Sequence, residues 1–137
     1  MKLIRFGVSI PEELSKKFDE LIARKKYANR SEAIRDMIRR ELVAEEIQKN
    51  LTVVGIVSLL YNHHIRELSE KLTQIQHSHH HLVLSSMHVH LDHENCIEVI
   101  LLSGKSQQVK ELADALISCK GVKHGTLNLT STGKNLI

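Results

Sequence analysis

Aromatic side chains are nearly absent from this sequence, which has no tryptophan, two phenylalanines and two tyrosines. Any core is therefore aliphatic, built from Leu, Ile and Val. Long apolar runs are missing too. None approaches the ~20 residues needed to cross a bilayer, and the charged N-terminus does not resemble a secretory signal. A soluble, cytoplasmic protein is expected. Cysteine is limited to Cys96 and Cys119, too few for a disulfide scaffold, so a cysteine near histidines becomes a metal-ligand candidate. The net charge of +3 says little about partners.

What is present is unevenly distributed. Residues 1–50 carry 12 Lys and Arg against 9 Asp and Glu, whereas residues 51–137 carry 7 of each. All ten histidines and both cysteines lie in the second stretch. This segregation suggests two modules: residues 1–47 and 51–131, with a polar tail at 132–137. A module of about 50 residues buries little core alone, so the first needs a partner chain.

Along the first module, Ile4, Phe6, Val8 and Ile10 alternate with Arg5, Gly7 and Ser9, the pattern of a strand with one buried face. Pro11 then opens a helix, in which Leu14, Phe18, Leu21 and Ile22 recur at helical spacing to about residue 26. Asn29 with Glu32 resembles a capping box and starts a second helix striped by Ile34, Met37, Ile38 and Leu42. Residues 43–50 read as its polar end and a link. A lone strand leaves its backbone groups unpaired, and pairing with the same strand of a second chain is the simplest remedy, giving an intertwined dimer.

The second module reads as a strand at 51–61, a helix at about 64–77, strands at 81–91 and 96–104, a helix striped by Val109, Leu112, Ala113, Leu116 and Ile117 and ended by Gly121, and a strand at 122–130. This βαββαβ order is the ferredoxin-like unit. One sheet face is left without helices, suited to another copy.

Seven histidines crowd residues 77–96. His88 and His90, two apart on a strand, share a face about 7 Å apart. Cys96 returns beside His90 after the turn at Asp92–Asn95. Val83, Met87, Val89 and Leu91 form an apolar face suited to lie under the helices, so His88 and His90 are expected on the bare face. Two imidazoles and a thiolate make three ligands. A fourth can come from a second subunit, with His77 the leading candidate and His79, His80 and His81 open alternatives. These donors suit zinc, copper or nickel, and ligand identity does not separate them. Elsewhere, His63, His64, His93 and His124 read as polar surface or supporting residues, and Cys119 as packing.

Arg5, Gly7 and Ser9, paired across a dimer, make a ribbon that fits the major groove of DNA. The second helix starts at Asn29-Arg30-Ser31, where free N–H groups suit a phosphate. Arg30 and the lysines at 25 and 26 add electrostatic affinity.

The segment NRSEAIRDMIRREL after a strand and a helix resembles the ribbon-helix-helix repressors. HVHLDHENCIEV, with QHSHHH upstream and GVKHG downstream, is similar to that family's nickel-responsive regulators (NikR), and the likeness covers nearly the whole chain. The resemblance implies an α+β protein, a ribbon-helix-helix dimer followed by a ferredoxin-like, ACT-like domain, assembled as a homotetramer (a dimer of dimers). It implies one Ni(II) per subunit, square planar, on His88, His90 and Cys96 of one chain and His77 of another. It places Arg5, Gly7 and Ser9 at base-reading positions, although the side-chain-free Gly7 departs from what is expected there. Glu32 and Asp36 match acidic positions that can hold a further cation, and Tyr61, His63 and Glu98 lie close behind the nickel ligands. The implied function is repression of nickel uptake through double-stranded operator DNA, with no enzyme activity, organic substrate or membrane partner. A zinc or copper sensor, a metal buffer with an incidental basic N-terminus, and a His-x-His metalloenzyme are the rival readings. The last lacks a general base beside the pair.

Overall fold

The computed structural model describes all residues, 1–137. The chain divides into two compact units, Met1–Glu41 and Leu42–Ile137.

In the first unit, residues 1–10 are exposed and form no strand. The ladder expected at 3–10 is not made, because a lone segment has no neighbour to accept its backbone hydrogen bonds. Helix α1 (Glu12–Arg24) has Pro11 as its N-cap. It closes through Lys26 at φ 60°, with Tyr27 N–H donating to Ile22 O at 3.0 Å, a six-to-one bond of the kind that satisfies terminal carbonyls. Helix α2 (Arg30–Gln48) follows. Asn29 Oδ1 accepts the Glu32 N–H at 2.9 Å, the expected cap. Glu32's own carboxylate turns to Arg35 instead, at 3.0 Å. Ile22 and Ala33 are the only buried residues here, while Leu3, Ile4, Phe6, Val8, Ile10, Leu14, Met37 and Ile38 are exposed.

Helix α2 continues past the polar end expected at residue 43, and its last two turns belong to the second unit. Val43 and Ile47 extend an apolar spacing, and Ile47 packs on the second core. Ser106 Oγ donates to Ile47 O at 2.6 Å, and Asn50 Oδ1 accepts the Gln107 N–H at 2.9 Å, capping a helix far along the chain.

The second unit runs β1 (Thr52–Asn62), α3 (Arg66–Ser78), β2 (Val83–His90), β3 (Asn95–Lys105), α4 (Ser106–Ile117) and β4 (Val122–Ser131). The strands form one antiparallel sheet in the order β2-β3-β1-β4, the ferredoxin-like arrangement. Strand β1 alternates strictly: Val53, Gly55, Val57, Leu59 and Tyr61 are buried on the helix side. They pack with Leu68 and Leu72 of α3, Ile100 and Leu102 of β3, and Val109, Leu112 and Leu116 of α4. A Cβ on Gly55 would lie 2.5 Å from Val109 Cγ1, so the absent side chain lets α4 sit down on the sheet. Gly121, at φ 103°, turns the chain from α4 into β4.

One expectation is reversed. Met87, Val89 and Leu91 do not lie under the helices. They are exposed on the open face, where Met87 and Val89 stand opposite Val99 and Ile97. His88 and His90 stand opposite Glu98 and Cys96, on the helix side. Two physical causes account for the inversion. Strand β2 is an edge strand, so its apolar residues are not claimed by the core. A register shift between Val83 and Ser85 also breaks parity, leaving Val83 packed on the core while the residues beyond it swap sides, as a bulge does.

Candidate metal centre

Strands β2 and β3 bring three predicted donors to one sheet face. His90 is the cross-strand partner of Cys96, and His88 that of Glu98. Alternation along antiparallel neighbours makes this arithmetic: residues two apart share a face, and opposed residues share it too. The grouping read from the sequence therefore holds, although the face does not.

Behind these donors lies a buried polar array. Tyr61 is the cross-strand neighbour of Cys96 on the other side, and its hydroxyl donates to Glu98 Oε1 at 2.7 Å. Gln76 of α3 donates from Nε2 to Glu98 Oε2 at 2.8 Å. The ring of His88 meets the same pair, Nδ1 lying 3.4 Å from Tyr61 Oη and Nε2 3.4 Å from Glu98 Oε2. Glu98 is only 2% exposed. A buried carboxylate is tolerated because both oxygens are bonded. Burial, then the Glu98 carboxylate, push the Tyr61 hydroxyl well above the usual phenol range, so it stays a donor.

Cys96 is fully buried. Burial raises its thiol above the ordinary range, against a smaller lowering by the Tyr61 hydrogen bond, while the nearby Glu98 charge also raises it. A cation at the sulfur would reverse this balance, since metal binding requires the thiolate. His63, expected close behind the ligands, stacks on His90 with ring centroids 4.2 Å apart and planes within 5°. Its Nε2 is buried without a hydrogen-bond partner.

His77 does not join this group. It lies exposed on the outer side of α3, beside Thr73 and Gln74. No three His, Cys, Asp or Glu side chains in the single chain are arranged to hold an ion. The residues fit a soft divalent metal in donor type, with two imidazoles, a buried thiol and a carboxylate array that fixes one ring. Any further donor must come from outside this cluster.

Gln76 was not singled out in the sequence, yet it was findable. It stands four residues after Leu72 on the inner stripe of α3, where a polar residue needs a buried partner.

In the first unit Arg5, Gly7 and Ser9 are exposed. Arg30 is committed to Asp19 through two 2.8 Å contacts, from Nε and Nη2, with Ser15 Oγ 3.3 Å from Nη2. That pair holds the Asp19 carboxyl below the usual carboxylate range. Ser31 is exposed in the first turn of α2. Asp36 accepts a hydrogen bond from Tyr27 and pairs with Arg40 at 2.8 Å. Glu32 and Asp36 are thus each engaged by an arginine one turn on.

Comparison with known proteins matches both units. Residues 54–130 match the NikR C-terminal nickel-binding domain, and residues 4–45 match the ribbon-helix-helix protein, copG family. A relative from Geobacter sulfurreducens, named for nickel-responsive regulation, is 55% identical over 134 residues, covering 97% of this chain and 96% of its own. One from Solibacter usitatus is 54% identical, covering 98% and 97%. One from Thermococcus kodakarensis is 50% identical over the full length of both chains.

Proposed function

This chain belongs to the nickel-responsive regulators with a ribbon-helix-helix DNA-binding domain, and from that premise we propose that it represses nickel uptake by binding operator DNA when Ni(II) is bound. Its domains are those of a transcription regulator, not an enzyme. Residues 1–47 bind DNA, and residues 51–131 hold metal and join four copies. The nickel ligands are His88, His90 and Cys96 of one chain with His77 of a second copy, one ion per chain. The observation that carries this reading is the placement of His88, His90 and Cys96 on one face across the β2–β3 pair, above the buried Tyr61–Glu98–Gln76 array.

Each part of the chain has a task in this account. Glu98 and Tyr61 fix the His88 ring, as partners behind a ligand commonly do, and Cys96 gives up its proton. Arg5 and Ser9 read base edges from a two-chain ribbon, with Gly7 allowing close approach. Ser31 meets phosphate at the start of α2. The exposed apolar residues of the first unit supply the dimer interface. The open sheet face of Met87, Val89, Ile97, Val99 and Leu101 supplies the tetramer interface. When bound, Ni(II) would be held by His88, His90 and Cys96 of one chain and His77 of a second, supplying a charge and coordinate bonds between them. Such a tie shifts the protein toward its DNA-competent arrangement only by its differential affinity for that arrangement. No helix is long and apolar enough to cross a membrane, and a repressor of this kind works in the cytoplasm. Glu32 and Asp36 form a further cation site only when DNA displaces their arginine partners.

The test uses DNA fragments selected from a random pool by nickel-loaded protein. One equivalent of nickel per chain raises affinity for these fragments at least tenfold in fluorescence anisotropy. Unchanged affinity overturns the proposal.

A further inference from the structure

The GVKHG segment opens strand β4, which is separated from β3 and its Cys96 by strand β1. Its backbone is fixed at both ends. Gly121, at φ 103°, makes the turn out of α4. A Cβ on Gly125 would lie 2.7 Å from Ile117 Cγ1, so the strand runs close beneath α4 there. Between the two glycines the ladder slips by one residue, because Leu60 pairs with His124 but Tyr61 pairs with Val122. Lys123 is the extra residue, and a bulge of this kind re-aims a side chain.

The re-aimed side chain crosses β1. Lys123 Nζ donates to Asn95 Oδ1 at 2.6 Å, and Asn95 is the partner of Asn62 on the far side of β1. Two strand spacings of about 4.8 Å separate β4 from β3, a span that needs a long side chain. The ammonium also fixes which way the Asn95 amide points. With Oδ1 taken by a cation, Nδ2 faces Asp92 and donates to Oδ2 at 2.9 Å and Oδ1 at 3.2 Å. Asp92 Oδ1 in turn accepts the backbone N–H groups of Glu94 at 2.9 Å and Asn95 at 2.7 Å. The amide dipole therefore lies between a cation and an anion, and each end makes a charge-assisted bond.

We infer that Lys123 is a positioning residue for the metal centre, clamping through Asn95 and Asp92 the hairpin that sets His90 beside Cys96. This rests on the assignment of nickel to His88, His90 and Cys96. The path to the ligands is short. Leu91 N–H donates to Asn95 O at 2.9 Å, closing the hairpin immediately after His90, and Cys96 directly follows Asn95. His63 N–H donates to Glu94 O at 3.0 Å, which ties the end of β1 to the same turn. Without the ammonium, water takes its place at Oδ1 and the amide is no longer held in one orientation. Lys123 is exposed, so solvent screens its charge, and a change of about two- to fivefold is expected rather than collapse.

The test compares full-length Lys123→Met, which removes the charge at similar length, with Lys123→Arg, which keeps a cationic donor. Amide hydrogen exchange is read by NMR on metal-free protein, and nickel release into a chelator is followed at the nickel–thiolate absorption band. In the Met variant, exchange at Glu94 and Asn95 and the rate of nickel release should each rise about two- to fivefold. Exchange at Val57 and Ile100 in the core stays unchanged, and Lys123→Arg matches the wild type. Unchanged exchange and release in Lys123→Met overturn the inference, as does exchange that rises equally in the core. An Arg variant that behaves like the Met variant overturns it too. A wild-type protein with no nickel–thiolate band fails the nickel assignment itself and takes the inference with it. A normal wild-type band beside an unaffected Met variant overturns the inference alone.

Discussion

Tyr61 and Glu98 share a 2.7 Å hydrogen bond between neighbouring strands, one residue's hydroxyl answering the other's buried charge beneath the ring of His88. Removing the hydroxyl leaves Glu98 Oε1 without this donor. Tyr61→Phe is expected to destabilise the metal-free protein by about 1.5–3 kcal/mol, the range for a hydrogen bond to a charged group, read from urea unfolding. A loss below 0.5 kcal/mol, on the order of an ordinary surface change, contradicts the array's role.

The contact of α4 with β1 depends on Gly55. An added methyl meets Val109 at 2.5 Å, with the Leu127 side chain 3.3 Å away. Gly55→Ala should cost about 1–3 kcal/mol by overpacking, seen as a lower thermal midpoint. A paired Val109→Ala should recover part of it.

Asp92 organises the hairpin between the two strands of the metal site. Its carboxylate accepts the side-chain and backbone N–H groups of Asn95 and the backbone N–H of Glu94, holding its pKa down at about 2 against an ordinary 3.8. A depressed carboxyl stabilises the fold fully above its unfolded pKa, and that contribution fades as pH falls through the folded one. The hairpin should therefore keep its order at pH 5 and loosen between about pH 4 and pH 2. An NMR titration of the Asp92 carboxyl checks this, and Asn95→Ala should move its midpoint upward.

Two arginines of the first unit are expected to behave differently on DNA. Arg5 is exposed with no ion pair, whereas Arg30 is neutralised by Asp19. Arg5→Ala should abolish sequence preference and, if a phosphate contact is also lost, lower the salt slope by about 0.9. Arg30→Ala should change that slope by less, because a cation already paired displaces few counterions. Filter binding across a salt series distinguishes the two.

Much of this fold was legible because nearly continuous apolar runs mark β1 and β3, and helical spacing marks α3 and α4. The grouping of His88, His90 and Cys96 followed from parity alone. Their face did not. Assigning Met87, Val89 and Leu91 to the core assumes that an apolar strand face always turns toward helices, whereas an edge strand can reserve it for a partner. The bulge near Ser85 was invisible because nothing in Val83-Leu84-Ser85 signals it. The extra turns of α2 were missed because Ile47 stands alone among Glu45, Glu46, Gln48 and Lys49. Gln76 was overlooked beside the more conspicuous histidines. Arg30's pairing with Asp19 spans the turn between two helices, which residue spacing does not reveal.

The central claim, a nickel site shared between chains, is tested most directly by nickel-edge X-ray absorption of the loaded protein and its His77→Ala variant. The account predicts three nitrogen donors and one sulfur in the parent, with one imidazole lost and the sulfur kept in the variant. An identical shell in both proteins, or one without sulfur, contradicts it.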